Sequence, residues 1–123
     1  MSITRGIEVV YKDGTRIENN NRYIAWKNPM MDLWICDFLF DKCDLKFEKT
    51  WDKYYVCKIP NEVAWELAER MINHDYEIFQ GYHTSFGIEE SEKEESKRYG
   101  EALKELIYKV NDYETLLYYD YGF

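Results

Sequence analysis

Residues 91–110, SEKEESKRYGEALKELIYKV, form the clearest element of this sequence and indicate its fold class. Ser91 and Glu94 have the S-x-x-E spacing of a capping box, which predicts a helix start. Apolar residues then recur at helical spacing: Tyr99, Ala102, Leu103, Leu106, Ile107 and Val110. Gly100 inside this stripe costs about 1 kcal/mol relative to Ala, which is too little to break the helix. The segment therefore predicts a long amphipathic helix.

Two other segments have helical patterns. Residues 62–74, EVAWELAERMINH, follow Asn61, which can cap a helix, and one face of that helix is apolar: Ala64, Leu67, Ala68, Met71 and Ile72. Residues 28–40, NPMMDLWICDFLF, are compatible with a helix or with a buried strand. Asn28 before Pro29 is a typical helix start, so we favour a short helix there.

Strand patterns fill much of the remaining sequence. Residues 4–20, TRGIEVVYKDGTRIENN, alternate in polarity around an Asp13-Gly14 turn and predict a β-hairpin whose returning strand begins at Thr15 and Ile17. A short strand, RYIAW, is predicted after three asparagines. Residues 45–59 predict a second hairpin, and YETLLYY near the end predicts a closing strand.

These elements predict an α+β fold, in which a small antiparallel sheet packs against two main helices. The sheet would contain the N-terminal hairpin, the second hairpin and the C-terminal strand. At 123 residues, the chain has the usual length of one domain, so residues 1–123 are expected to form a single globular unit.

The charge balance restricts the expected partners. The net charge is −8, from 24 acidic against 16 basic residues. Such a chain is not expected to bind nucleic acid directly, because that binding depends on Lys and Arg at phosphates. Attraction to anionic membranes is disfavoured for the same reason. A protein with a basic surface would be attracted instead, although the charge can equally serve solubility alone.

The cysteines and histidines do not indicate a disulfide framework or a metal site. Cys36, Cys43 and Cys57 are odd in number and have no C-x-x-C spacing, which favours reduced thiols in a cytoplasmic protein. No run is apolar enough to cross a membrane, and the first twenty residues do not resemble a signal peptide. Neither the cysteines nor His74 and His83 have zinc-ligand spacing, so we expect no metal or other cofactor.

Residues 81–87, GYHTSFG, offer groups for binding but no catalytic motif. The G-x-S-x-G elbow is absent, and the six glycines are scattered rather than grouped in a phosphate loop. We therefore do not expect an enzyme. A polar loop between aromatic residues can still line a ligand pocket. This alternative ligand-binding site comprises Tyr82, His83, Thr84, Ser85 and Phe86.

Acidic and aromatic residues concentrate at the start of the long helix and in the C-terminal tail. Carboxylates near a helix N-terminus are partly explained by the helix dipole. Alternation in the tail places Leu116 and Tyr118 on the core face and Leu117, Tyr119 and Tyr121 on the other face. The candidate partner-binding residues are Glu89, Glu90, Glu92, Glu95, Asp112, Glu114, Leu117, Tyr119, Asp120, Tyr121 and Phe123.

In size, charge and aromatic content, the chain resembles small acidic inhibitors of phages and mobile elements, including anti-CRISPR and other DNA-mimic proteins. Toxin-immunity proteins are similar in the same respects. The resemblance implies a non-enzymatic inhibitor that occupies the basic nucleic-acid-binding surface of an enzyme or complex. The alternative is a module that binds or sequesters a nucleotide-like small molecule. Exposed aromatic residues could also form a homodimer contact.

Overall fold

The computed structural model describes residues 5–26, 29–43, 55–73 and 90–120. In chain order these residues form β1 (Arg5–Tyr11), β2 (Tyr23–Trp26), α1 (Pro29–Cys43), β3 (Tyr55–Ile59), α2 (Asn61–Asn73), α3 (Glu90–Tyr108) and β4 (Glu114–Asp120). The strands form an antiparallel sheet in the order β2-β1-β4-β3. Together with the helices, this sheet confirms the predicted α+β class.

The C-terminal strand β4 lies between β1 and β3 rather than at the end of this order. In the β1–β4 ladder, Arg5 is opposite Asp120 at one end and Tyr11 is opposite Glu114 at the other. Five of the seven residues of β4 are buried, and they come from both faces of the strand. A central strand has to be apolar on any face that is covered, which explains the aromatic and aliphatic composition of this tail.

The N-terminal hairpin has the predicted turn but a different returning strand. Gly14 has a φ angle of 90°, and the Tyr11 N–H donates a hydrogen bond to the Thr15 carbonyl. Beyond this turn, a single bridge between Val10 and Arg16 continues the pairing. The strand that pairs with β1 over four residues is β2, which confirms the short strand predicted after the asparagines.

Two of those asparagines explain why the returning strand is interrupted. Asn19 adopts a φ angle of 55°, in the left-handed region that ends an extended strand. The Asn20 side-chain amide donates a hydrogen bond to the Val9 carbonyl at 2.8 Å. It therefore replaces the backbone N–H that a paired strand would offer to this carbonyl. The Val9 N–H in turn donates to the Arg22 carbonyl. The prediction that the returning strand begins at Thr15 and Ile17 is therefore wrong.

The helices cover one face of the sheet, and the main core lies between them. Buried residues from every described helix and strand contribute to it, including Ile7, Val9, Trp26, Trp34, Ile35, Phe38, Leu39, Ile59, Leu67, Met71, Leu103, Leu116 and Tyr118. In α1 the buried residues come in adjacent pairs one turn apart, which is the spacing of a helix. The helical alternative for residues 29–40 is therefore confirmed.

Helices α2 and α3 pack closely where Gly100 of α3 faces α2. A Cβ atom at Gly100 would lie 2.8 Å from the Ala68 carbonyl oxygen and 2.8 Å from Cγ1 of Ile72. Nearby, the buried Ser96 hydroxyl donates a hydrogen bond to the Met71 carbonyl at 2.7 Å. Small residues on α3 therefore let the two helix backbones approach each other.

Some predictions fall on other parts of the chain. Within the predicted second hairpin, β3 is described, whereas residues 45–54 lie outside the described residues, as does Asn28. Helix α3 begins at Glu90, so Ser91 belongs to its first turn rather than preceding it. Cys36 and Cys57 are free thiols. No helix in the described part of the chain is long and apolar enough to cross a membrane.

Candidate functional site

Glu114, one of the predicted partner-binding carboxylates, is buried in an ion pair within the chain. Its two carboxylate oxygens accept hydrogen bonds from the Arg22 guanidinium at 2.8 and 2.6 Å. The Asn111 backbone N–H donates to the same carboxylate at 2.9 Å. The hydrogen bond from Arg22 is the main reason why the pKa of Glu114 lies below its usual value. Glu114 therefore links β4 to the chain before β2.

The other predicted carboxylates do not gather into one patch. The Arg5 Nε atom lies 3.4 Å from a carboxylate oxygen of Asp120, which is largely shielded from solvent. Asp112 is exposed in the turn after α3, whereas Glu95 lies half-buried near the start of that helix. A helix from Glu90 to Tyr108 separates its two ends by about 27 Å at 1.5 Å per residue.

Leu117 and Tyr119 lie on the predicted side of β4, but they are buried. Their exposed fractions are 3% and 4%, and they form a second cluster with Val10 and Val56. This burial corrects the expectation that the two side chains belong to an exposed, ring-rich surface. Alternation along a strand assigns residues to faces, but it does not say whether a face is covered.

For the remaining predicted site residues, the structure describes no side chain. Glu90 and Glu92 belong to the first turn of α3, of which the backbone is described. Glu89, Tyr121 and Phe123 lie outside the described residues. The same holds for the whole alternative ligand loop: Tyr82, His83, Thr84, Ser85 and Phe86.

An aromatic and acidic surface does exist on the described helices, at a place that the sequence did not single out. Trp65 of α2 and Tyr108 of α3 make an edge-to-face contact with ring centroids 5.9 Å apart. Tyr108 is 77% exposed. The Lys104 ammonium lies 4.5 Å from the centre of the Trp65 ring and 2.7 Å from the Glu69 carboxylate. The two rings thus form a contacting pair on the outside of the helices.

Both helices that carry this ring pair also carry carboxylates, and Glu69 is joined to the pair through Lys104. We define the α2–α3 face as Glu62, Trp65, Glu66, Glu69, Arg70, Glu101, Lys104, Glu105 and Tyr108. Its five carboxylates outnumber its two cations, and Arg70 is an ion-pair partner of Glu66 at 3.6 Å. The sequence did contain a signal for this surface: Trp65 and Tyr108 are aromatic residues that do not belong to the apolar faces of their acidic helices.

A second polar group lies between α1 and the sheet. Asp32 Oδ1 accepts hydrogen bonds from the Trp26 indole at 3.0 Å and from the Tyr118 hydroxyl at 2.9 Å. Arg5 Nε lies 3.4 Å from Asp32 Oδ2. The Cys36 thiol lies 3.1 Å from the Tyr118 hydroxyl. One carboxylate therefore joins α1 to β1, β2 and β4.

The chemistry of this polar group is that of a structural contact. Burial is the main reason why the pKa of Asp32 is raised. Burial, reinforced by the Asp32 carboxylate, raises the pKa of the Cys36 thiol to about 12. A thiol with such a pKa is a poor nucleophile at neutral pH. Among the described residues, no three His, Cys, Asp or Glu side chains are arranged to hold a metal ion.

No family model, no curated protein and no solved structure matches this chain.

Proposed function

We propose that this chain is a non-enzymatic inhibitor that binds a basic, nucleic-acid-binding surface of a partner protein through its α2–α3 face. The observation that carries the proposal is the contact between Trp65 and the highly exposed Tyr108, on two helices that also carry glutamates. Aromatic residues at the centre of an interface and charges at its rim are the usual arrangement of a strong binding surface.

The chemistry of this face fits a groove that normally holds nucleic acid. Glutamates on α2 and α3 offer negative oxygens where such a groove expects phosphates. The ring of Tyr108 offers a stacking surface where the groove expects a base. Helices hold the backbone of both sets of groups, so a partner does not have to order that backbone when it binds. The partner would be a nucleic-acid-handling enzyme or complex, and its nucleic acid would compete with this chain.

The proposal assigns partner binding to residues other than those predicted from the sequence. Glu114 and Asp120 already have arginine partners, and Leu117 and Tyr119 are buried. Among the described members of the original set, Asp112 is exposed and Glu95 is half-buried, and both can add to the long-range attraction.

The test begins with capture of partners from host-cell lysate on the tagged chain and continues with the purified partner. The dissociation constant is measured for the wild type, Tyr108→Ala and the double variant Glu66→Gln/Glu105→Gln. We expect Tyr108→Ala to weaken binding about tenfold, because a central aromatic anchor is lost. The double variant should slow association and reduce the salt dependence.

The matched control is Tyr23→Ala, which removes another exposed tyrosine, 54% exposed, from the opposite side of the sheet. It should bind like the wild type. Raising the salt concentration from about 0.1 to about 1 M shortens the Debye length from about 10 to about 3 Å, so wild-type binding should weaken. Equal affinity for wild type and Tyr108→Ala, or binding that does not respond to salt, would contradict the proposal.

A further inference from the structure

Four side chains of the α2–α3 face form a group in which a lysine of the chain itself occupies a site for a cation. Trp65 and Glu69 lie one turn apart on α2, and Lys104 and Tyr108 lie one turn apart on α3. The Lys104 ammonium is 4.5 Å from the centre of the Trp65 ring and 2.7 Å from a Glu69 carboxylate oxygen. An aromatic face beside a carboxylate attracts an ammonium or guanidinium group. We call the space beside Trp65 and Glu69 the cation site.

The cation site lies at the surface of the helices. The Trp65 ring is half-buried, and the Glu69 and Lys104 side chains are 44% and 24% exposed. The exposed Tyr108 ring meets the Trp65 ring at 78°, so the two rings stand nearly at a right angle beside the carboxylate. A side chain from another protein can therefore approach the group that now holds Lys104.

Lys104 is held weakly enough to be replaced. An ion pair between side chains that remain partly in water contributes little to stability. An ammonium group is compact and strongly hydrated, so water compensates for much of what it loses on leaving the site. Glu101 is exposed on the same helix, three residues before Lys104, and is within reach of the released ammonium. Lys104 thus has a second place to go.

An arginine would fit the cation site better than Lys104 does. A guanidinium is planar, stacks on an aromatic face and can donate two parallel hydrogen bonds to one carboxylate. Arginine is also enriched in protein interfaces and in surfaces that recognise nucleic acid. We propose, building on the proposed function, that an arginine side chain of the basic partner displaces Lys104 and binds between Trp65 and Glu69. Lys104 then occupies the site only until that arginine arrives.

Nuclear magnetic resonance titration with short peptides tests this displacement without the partner protein. The probes are tetra-arginine and tetralysine, which carry the same charge, added to the isotope-labelled full chain. Tetra-arginine should shift the Trp65 indole N–H signal and the Lys104 side-chain signals in a saturable way. Tetralysine should bind about threefold more weakly at the same signals, because an ammonium makes only the contacts that Lys104 already makes.

Variants of Lys104 separate displacement from simple charge attraction. Lys104→Arg keeps the charge but places a better occupant in the cation site, so it should weaken tetra-arginine binding about threefold. Lys104→Gln removes the occupant and should strengthen that binding about threefold more than Lys97→Gln does. Lys97 is exposed on the same helix and lies outside the four-residue group, so its variant is the matched control for the lost charge.

Three results would overturn the inference: no saturable shift of the Trp65 indole signal, equal effects of Lys104→Gln and Lys97→Gln, or binding of tetra-arginine to Lys104→Arg that is as tight as to the wild type. The spectrum of each variant also reports its folding. If Lys104→Gln loses its native spectrum, the comparison between Lys104→Arg and the wild type decides the question.

The peptide titrations contain no partner, so their outcome is separate from that of the partner-binding test. If Tyr108→Ala weakens partner binding but the Lys104 variants bind tetra-arginine like the wild type, the displacement by arginine is wrong and the proposed function stands. If the peptides bind in the expected order but the partner binds wild type and Tyr108→Ala equally, the proposed function is wrong and the arginine site stands.

Discussion

The Tyr118 hydroxyl on β4 donates a hydrogen bond to the Asp32 carboxylate on α1 at 2.9 Å. The same carboxylate oxygen accepts from the Trp26 indole at 3.0 Å, and all three side chains are buried. Two donors in the core thus depend on one acceptor. A buried donor that loses its acceptor costs about 1–3 kcal/mol, so this carboxylate holds α1 to the sheet.

We predict that Asp32→Ala lowers the free energy of unfolding by about 3 kcal/mol or more, because Trp26 and Tyr118 both lose their acceptor. Tyr118→Phe removes a single donor and should cost about 1 kcal/mol. Urea unfolding of both single variants and of the double variant measures these values. The double variant should lose less than the sum of the two, since the residues are in contact. If the loss of unfolding free energy in the double variant equals the sum of the two single losses, Asp32 and Tyr118 do not act together.

The ion pair between Arg22 and Glu114 predicts how stability depends on pH. Because the folded chain lowers the pKa of Glu114 below the value of 4.5 of an ordinary glutamate, the ionised form is favoured in the folded state. The contribution of Glu114 to the free energy of unfolding is therefore fully present above about pH 4.5, and it is lost as the pH falls through the lowered pKa. Glu114→Gln should cost about 2 kcal/mol at pH 7 and much less at pH 3. A difference that does not change with pH would contradict this assignment.

The Cys36 thiol should react with iodoacetamide only when the chain unfolds. Its pKa of about 12 in the folded state leaves almost no thiolate at pH 8, whereas an ordinary cysteine has a pKa of 9.0. Peptide mapping by mass spectrometry after alkylation, with and without urea, measures the labelling of this residue alone. We expect strong labelling in urea and little without it. Equal labelling in both conditions would show that the thiol is accessible and ionisable in the folded chain.

The helices could be predicted from the sequence because their signal is local. The stripe of α3 and the apolar face of α2 repeat at helical spacing, and Leu67, Met71, Leu103 and Leu106 are buried as expected. Helix propensity and side-chain spacing act within a few residues, so one segment contains all the information needed. The DG turn after β1 was equally local, because Gly14 alone supplies its positive φ angle.

The candidate site could be predicted less well, because its contacts join distant parts of the chain. Arg22 and Glu114 are 92 residues apart, so nothing near Glu114 in the sequence shows that its charge is already paired. Leu117 and Tyr119 were assigned to the correct face, but alternation does not report what covers it. The unbroken apolar run of β4 was the signal that both faces are buried.

At Gly100 a local rule and the fold disagree, and this disagreement supports the last prediction. In an isolated helix, Gly→Ala would stabilise by about 1 kcal/mol. Here the added methyl group would meet the Ala68 carbonyl and the Ile72 side chain, each at 2.8 Å, so α2 and α3 would have to separate. We predict that Gly100→Ala lowers the free energy of unfolding by about 1–3 kcal/mol. Thermal and urea unfolding measure this, with the exposed Glu101→Ala as the control; a more stable Gly100→Ala would contradict the close helix contact.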